Sequence, residues 1–513
     1  MDDIIAAVDE AIPRFNEHLL TDYPNDQVNS IADFLSMAFE EAMKFLRNLV
    51  TYEGYTILSP EERVQFELAP QRASGAAITN SELQLVAFNF IYNGKRFTAH
   101  LYLPYMIDGQ IILRNTRYGI QYGITEKIFS RSGGGITVRV IRQPLYFWRG
   151  IHFPLRSAVS TYQKTEFVVG AKLHTKDSRK KDVQTTITHY FLCKFGFNAT
   201  IQRFGLLPSQ MLLVSKIGDD IEQFEYFLAH RDTPYDDAPG VYLKVSKEVL
   251  VDPTWRKLAA NILYLLSKRH RHTVADLYEP ENTIYRIYLG EILYGLHLGE
   301  GMAKSQADTH IYSVDYFLDP MTRHRLHVFG VEVNDIWDLL QYLFVEIDRI
   351  LVSSTHQNLY EKRMVITDLF VIKLFITPIY QRIYMIDQNP NRLDSNALSK
   401  ALGLRPNGIR GIGRVPNVEP VGNSNINGNR LLAFALRKIR LSGSQATTHS
   451  LQSPDLRFDT SIAVVETLVG FAGNNAAING MINPFVSITD EGGIIRPDYA
   501  ADIEKLRPFL PYG

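Results

Sequence analysis

The apolar positions change period along the chain, and the changes mark out its elements. Ile31, Phe34, Leu35, Ala38, Phe39, Ala42, Leu46 and Leu49 recur at helical spacing. Ser30, with Asp33 three residues on, precedes them, so the spacing predicts a capped amphipathic helix. Strand-like alternation follows. Leu83 to Tyr92 and Arg96 to Pro104 flank Asn93-Gly94, a hairpin signal of the type I′ kind. Asp108-Gly109 predicts the next turn, leading into Ile111 to Leu113, and Ser132 to Gly135 (SGGG) reads as a flexible break before VRVIRQPLYFW resumes strand chemistry. Residues 150 to about 250 are mixed and strand-rich, with DSRKKD (177 to 182) as a solvated charged turn. Helical periodicity dominates from Pro253 to Ile386 and is clearest from Asp335 to Val352, where Ile336, Leu339, Leu340, Leu343, Phe344, Ile347, Ile350 and Leu351 share a face. The most apolar window, Met364 to Ile386, is interrupted by Asp368, Lys373, Pro378, Gln381 and Arg382, which predicts a buried helix pair and not a membrane span. No internal repeat is visible.

Composition bounds this picture. With 513 residues, 45% hydrophobic and 21% charged, the chain is an ordinary globular sequence with room for two to four domains. Its net charge is −1, so no global field attracts nucleic acid. Cys193 is the single cysteine, which excludes an internal disulfide and a cysteine-rich zinc site and fits a reducing compartment. The N-terminus, MDDIIAAVDEAIPRF, begins acidic and lacks the basic start of a signal peptide.

Charge matters in one place. Residues 387 to 433 contain no aromatic residue and are rich in Asn, Gly and Pro. Arg392 to Arg440 holds nine cations (Arg392, Lys400, Arg405, Arg410, Arg414, Arg430, Arg437, Lys438, Arg440) against Asp394 and Glu419, a balance of +7. A backbone of this kind can approach phosphates closely and Arg can contact them, although a basic loop or an interface for an acidic protein has the same composition.

Catalytic signatures are missing. HRH (270 to 272), beside Lys268 and Arg269, has no Cys or carboxylate at ligand spacing and reads as a basic helix end. GIRGIGR (408 to 414) has neither the glycine order nor the upstream strand of a dinucleotide fingerprint. No Walker A, G-x-S-x-G or H-E-x-x-H string is present, and no alternating run of Asp could hold paired Mg²⁺. The residues alone describe an α+β, multidomain chain with the profile of a binding subunit.

Four segments carry a resemblance to one family. LPYMIDGQIILRNTRYGIQYGITEKIFSRSGG is similar to the protrusion segment of the β subunit of multisubunit RNA polymerases, with Pro104, Met106, Gly109, Ile112, Thr116, Arg117 and Ile124 in register. SVDYFLDPMTRHRLHVFGVEVNDIWDLL (313 to 340) resembles a second segment of that family through Asp315, Thr322, Arg323, Arg325, Leu326, Gly330 and Leu339. LRKIRLSGS (436 to 444) resembles a third through Lys438, Arg440, Leu441 and Ser442, with Arg437 where the family has His. SPDLRFDTSIAVVETLVG and NGMINPFVSITDEGGIIRPDY, within 453 to 499, resemble a fourth through Glu466, Thr467, Gly470, Gly480, Ile482, Asn483, Gly492 and Pro497. The four occur in the family's order. The prolines around the family's Glu-Thr pair are replaced here, by Val465 and Leu468 among others.

The resemblance implies the N-terminal half of a split β subunit, as in jumbo bacteriophages of the phiKZ type. The expected regions are a first part of the protrusion (1–147), a lobe-like domain (148–360), a protrusion return with the basic segment (361–435), and a fork running into a C-terminal β chain (436–513). Arg437, Lys438, Arg440 and Ser442 would lie along the RNA–DNA hybrid, and Glu466 and Asn483 near the active centre. Arg410, Arg414 and Arg430 are assigned to nucleic acid by charge alone. The chain itself would hold no cofactor. Mg²⁺ would enter through a β′-like partner, and the partners would be a C-terminal β-like chain, β′-like chains, the DNA template and the hybrid, with no membrane. The expected location is the infected bacterial cell, its cytoplasm or a phage nucleus, with the virion as the alternative. The competing reading is a virion structural or scaffold protein whose basic loop touches DNA.

Overall fold

The computed structural model describes residues 18–46, 49–67, 83–107, 109–113, 115–120, 122–132, 135–140, 144–173, 185–231, 240–268, 272–295, 299–353, 358–366, 376–388, 418–420, 438–440, 461, 464–465, 479–483 and 485–496. Its helices are α1 (Tyr23–Asn29), α2 (Ile31–Phe45), α3 (Pro60–Glu67), α4 (Ile187–Arg203), α5 (Pro253–Ser267), α6 (Val274–Leu277), α7 (Thr283–Tyr294), α8 (Glu300–Val314), α9 (Pro320–Val328), α10 (Ile336–Ser353) and α11 (Thr377–Gln388). The strands begin with β1 (Val50–Ile57), β2 (Leu83–Tyr92), β3 (Lys95–Pro104), β4 (Met106–Ile107), β5 (Gln110–Leu113), β6 (Thr116–Ile120) and β7 (Tyr122–Glu126). Next come β8 (Phe129–Ser132), β9 (Gly135–Arg139), β10 (Pro144–Arg156), β11 (Gln163–Lys172), β12 (Met211–Val214), β13 (Phe224–Arg231) and β14 (Gly240–Ser246). The last are β15 (Lys362–Val365), β16 (Val418–Pro420), β17 (Lys438–Arg440) and β18 (Asn479–Met481). The fold is mixed α+β and divides into two compact units. One comprises Met1–Ile128, Asp319–Phe329 and Thr355–Gly513, the other Phe129–Leu318 and Gly330–Ser354.

In the first unit, β1-β2-β3 form an antiparallel sheet against the apolar face of α2. Phe39 is the contact point, with ring centroids 5.1 Å from Phe88 and 5.2 Å from Phe90. The Asn93-Gly94 turn is as the sequence predicts. Tyr92 faces Lys95, and both turn residues take positive φ (49° and 72°). Ser30 does not cap α2 with its side chain. Its N–H bonds to Asp26 O at 3.0 Å, so it closes α1 and has a near-helical backbone (φ −82°, ψ 7°) instead of the extended one a cap requires. Asp33 is drawn elsewhere, accepting the Tyr55 hydroxyl at 2.5 Å. Of the window Met364 to Ile386, predicted as a helix pair, residues 364–366 and 376–386 are described, and its first part is strand. Its start belongs to β15 and its end to α11, because Met364 and Val365 complete a ladder with β7.

The second unit holds sheets β11-β10-β9-β8 and β12-β14-β13 with helices α4 to α8 and α10. Ser132 faces Gly135 in the β8–β9 ladder, so both ends of the SGGG run belong to paired strands; residues 133 and 134 lie outside the described residues. The strand-rich reading of 150 to 250 misses α4. Eleven of its seventeen residues are buried, so it has no polar face from which a helical period could be read. Thr186 caps it, accepting the N–H of His189 at 3.2 Å. At Gly196 the helix takes φ 77°, where a Cβ would stand 2.5 Å from Asn282 Oδ1. Arg286 meets the kink, donating from Nε to Cys193 O at 3.0 Å. The face predicted for Asp335 to Val352 is the face α10 buries, with Leu339, Leu340, Leu343, Phe344 and Ile347 fully enclosed. The segments 177 to 182 and 269 to 271 lie outside the described residues.

Leu340→Ala should lower stability by about 2–5 kcal/mol, read from the denaturation midpoint, because Leu340 is fully enclosed. A pH effect follows from Tyr55. The Asp33 bond pushes its pKa up to about 12, so the folded chain holds the proton more tightly than the unfolded one. That contribution is complete below the ordinary tyrosine value of about 10 and is lost as pH rises toward 12. The urea midpoint should therefore fall across this window more steeply in the wild type than in Tyr55→Phe.

Candidate functional site

The first unit contains a second sheet, of order β15-β7-β17-β18, that joins distant parts of the chain. Its inner strand β7 pairs antiparallel with β15, Met364 facing Ile124 and Val365 facing Gly123. On its other edge β7 pairs parallel with β17, Ile439 beside Tyr122 and Arg440 beside Gly123. β17 then pairs antiparallel with β18, placing Lys438 opposite Met481, Ile439 opposite Gly480 and Arg440 opposite Asn479. Lys438 and Arg440 thus occupy alternate positions of one short strand.

The chain beyond β18 folds back toward β15. Asn483 donates its backbone N–H to Val464 O at 2.8 Å, and its Oδ1 accepts the N–H of Phe485 at 3.1 Å. This is the local side-chain turn that Asn forms readily. Residues 487 to 495 make a hairpin, in which Ile495 N–H bonds to Ser487 O at 2.9 Å and Gly492 N–H to Thr489 O at 2.8 Å. The hairpin lies along β15. Met364 N–H donates to Gly492 O at 2.8 Å, and Ile494 N–H to Lys362 O at 3.2 Å.

Gly492 is required here. Its φ is +78°, and a Cβ would stand 2.2 Å from Met364 O and 2.3 Å from the Tyr23 hydroxyl oxygen. Tyr23 donates to Met364 O at 2.8 Å and stacks on Tyr122 with centroids 6.2 Å apart. Tyr122 donates in turn to Leu19 O at 2.7 Å, and its complete burial pushes its pKa well up, so it stays a neutral donor. Helix α9 closes the other side of the hairpin. His324 Nε2 lies 3.4 Å from Glu491, and Arg323 pairs with Glu41 of α2 at 3.6 Å. Asp319 caps α9 through the N–H of Thr322 at 2.7 Å.

Of the residues singled out by sequence, Lys438, Arg440 and Asn483 are therefore parts of one sheet and its following turn. Arg410, Arg414, Arg430, Arg437, Ser442 and Glu466 lie outside the described residues. Sequence reasoning singled out Gly492 by resemblance but missed the Tyr23, Tyr122 and Met364 cluster that it packs against. The adjacent glycines after Asp490-Glu491 were its one visible signal. Among the described residues, no three His, Cys, Asp or Glu side chains gather as a metal centre needs.

These observations define a multidomain α+β chain whose widely separated segments close on a single sheet. The family model described as non-virion RNA polymerase subunit matches residues 1–499, and the chain belongs to that family. It is thus a subunit of a phage RNA polymerase, a component of a multisubunit complex. Comparison with the curated proteins finds no match. No described helix is long and apolar enough to cross a membrane.

Gly492→Ala must place a methyl where Met364 O and the Tyr23 hydroxyl already stand, at positive φ. It should cost roughly 1–3 kcal/mol, read as a lowered thermal midpoint, whereas Gly330→Ala, where no atom lies within 4 Å, should cost less.

Proposed function

We propose that this chain is the N-terminal β-like subunit of its polymerase, lining the DNA cleft and the RNA–DNA hybrid channel. What supports the reading is the convergence of the four segments that resemble β subunits. Three of them supply β7, β17, β18 and the 487 to 495 hairpin, and the fourth supplies α9, which packs on that hairpin. A chance set of matches has no reason to meet in space. The lobe-like region 148–360 overlaps the second compact unit, which runs over Phe129–Leu318 and Gly330–Ser354.

In this reading Lys438 and Arg440 face the hybrid, with Arg437 and Ser442 beside them, and offset phosphate charge as strands move through the channel. Arg410, Arg414 and Arg430 reach template or non-template phosphates. Glu466 and Asn483 sit near the active centre, Asn483 by holding the turn after β18. A β′-like partner would hold the Mg²⁺ that nucleotidyl transfer needs, and a C-terminal β-like chain is a further partner. The assembly works in the infected cell, the setting that agrees with the non-virion family. Nothing observed favours the scaffold alternative.

The reading is tested by tagging the chain in infected cells and identifying what co-purifies. A β′-like chain with an Asp-rich metal loop and a C-terminal β-like chain are expected, and recovery as a homo-oligomer or with coat proteins alone overturns it. In the reconstituted enzyme, Arg440→Glu should abolish RNA synthesis while the variant still assembles, and wild-type elongation would remove Arg440 from the channel. Arg437 in place of His should leave transcription resistant to rifamycin-type inhibitors, so inhibition at ordinary concentrations would overturn the placement of that segment.

A further inference from the structure

The sheet β11-β10-β9-β8 has one core face and one face of different character. Ile136, Val138, Leu145, Phe147, Val169 and Ala171 are buried on the first. On the other, Tyr146 and Trp148 of β10 lie side by side, both half-buried, with ring centroids 5.4 Å apart and planes 24° from parallel. Each is seated on a glycine of a neighbouring strand. Trp148 faces Gly170 in register, and a Cβ there would meet Cε2, Cζ2 and Nε1 of the indole at 2.3, 2.4 and 2.7 Å. Three ring atoms at nearly equal distance put the indole broadside on the backbone. A Cβ at Gly135 would meet Phe147 O at 2.4 Å, and the Tyr146 hydroxyl oxygen and Cζ at 2.7 and 2.8 Å, so the tip of the tyrosine ring passes over that glycine.

Two cations stand near the rings in the strand register. Lys172 is the register partner of Tyr146, and the exposed Arg139 is the partner of Pro144, two residues before it. Residues 135–139, 144–148 and 168–172 include these two cations and no Asp or Glu. Flat aromatic rings bind any base through its π-face, and nearby cations hold the backbone that links successive bases. In double-stranded nucleic acid the base faces are already stacked, so such a surface selects single strands. We propose that Tyr146 and Trp148 form a stacking platform for two bases of a single-stranded nucleic acid, with Lys172 and Arg139 contacting its phosphates. These residues belong to the second compact unit, and β17 to the first. The platform rests on the polymerase reading only for which strand occupies it.

The competing role for these rings is to cover the two glycines and nothing more. The purified full-length chain, titrated with labelled oligothymidylate, oligouridylate and a DNA duplex of the same length, separates the two. The single strands should bind more tightly than the duplex, with affinity falling as salt rises. Tyr146→Leu with Trp148→Leu should weaken single-strand binding about tenfold or more, and Trp148→Phe, which keeps a ring, should weaken it far less. Arg139→Glu, at an exposed position, should weaken binding and flatten the salt dependence by about one phosphate contact. It decides the matter alone if the leucine pair loses secondary structure. Tighter binding of thymidylate identifies a DNA strand as occupant, and tighter binding of uridylate an RNA strand. No binding by the wild type, equal binding of the duplex, or unchanged affinity in a folded leucine pair or in Arg139→Glu overturns the proposal. Such a failure leaves the subunit reading standing, because that reading is tested by the partners that co-purify.

Discussion

The first unit depends on the satisfaction of β7 along both edges. An inner strand leaves N–H and C=O groups on either side, and each must find a partner away from water. β15 supplies one side from about 240 residues later in the chain, and β17 supplies the other from later still. Contacts of such long range cost chain entropy before they give anything back. They persist because the local pieces interlock. Met364 pairs with Ile124, its N–H is taken by Gly492 O, and its carbonyl is taken by Tyr23, which stacks on Tyr122 of the same β7. A single methionine thus ties α1, β7, β15 and the last hairpin together, and this is why a side chain at Gly492 has no room.

That arrangement also explains which features could be read from the sequence. The β2–β3 hairpin was legible because its turn chemistry is local: Asn93 and Gly94 each accept positive φ, and the flanking residues alternate. The apolar face of α10 was legible because one side of the helix is wet and the other is not. Helix α4 was not, because it is buried nearly all round and its residues carry no 3.6-residue contrast. β15 was hidden for a related reason. A short buried apolar strand and a buried helix look alike in one dimension, and only its pairing with β7 distinguishes them. Ser30 and Asp33 form a correct capping pattern that the structure does not use, since the preceding helix runs directly into the position.

At the candidate site, the sequence singled out residues and the structure supplied the connection between them. Lys438 and Arg440 were visible as part of a local excess of cations, and Asn483 as part of a resembling segment. That β17 and β18 stand beside β7 depends on ladder partners hundreds of residues apart, which no local pattern encodes. The Tyr146 and Trp148 rings illustrate the opposite limit. Their strand pattern was readable, but the glycines beneath them lie on other strands, and only the register of Trp148 with Gly170 turns an ordinary alternation into a surface.

Charge follows the same logic of placement over total. The second unit contains many cations, but much of that charge is engaged within the fold. Arg149 pairs with Asp348, Lys194 with Asp315, Arg203 with Asp338, Arg256 with Glu166 and Arg286 with Asp308, at 2.6 to 2.9 Å. Lys244 is held by Asp220, whose carboxyl is lowered by that bond and by the Tyr226 hydroxyl. Such pairs fix the positions of helices and strands and take their own charge out of the field that a polyanion meets. The window from Arg392 to Arg440 cannot neutralise itself in this way, since it has nine cations for two acids. A chain of net charge −1 therefore holds one strongly basic segment, because the balancing acids lie elsewhere in the sequence. In that division, internal pairs build the frame, and the unbalanced segment leads into β17, the strand on which Lys438 and Arg440 stand.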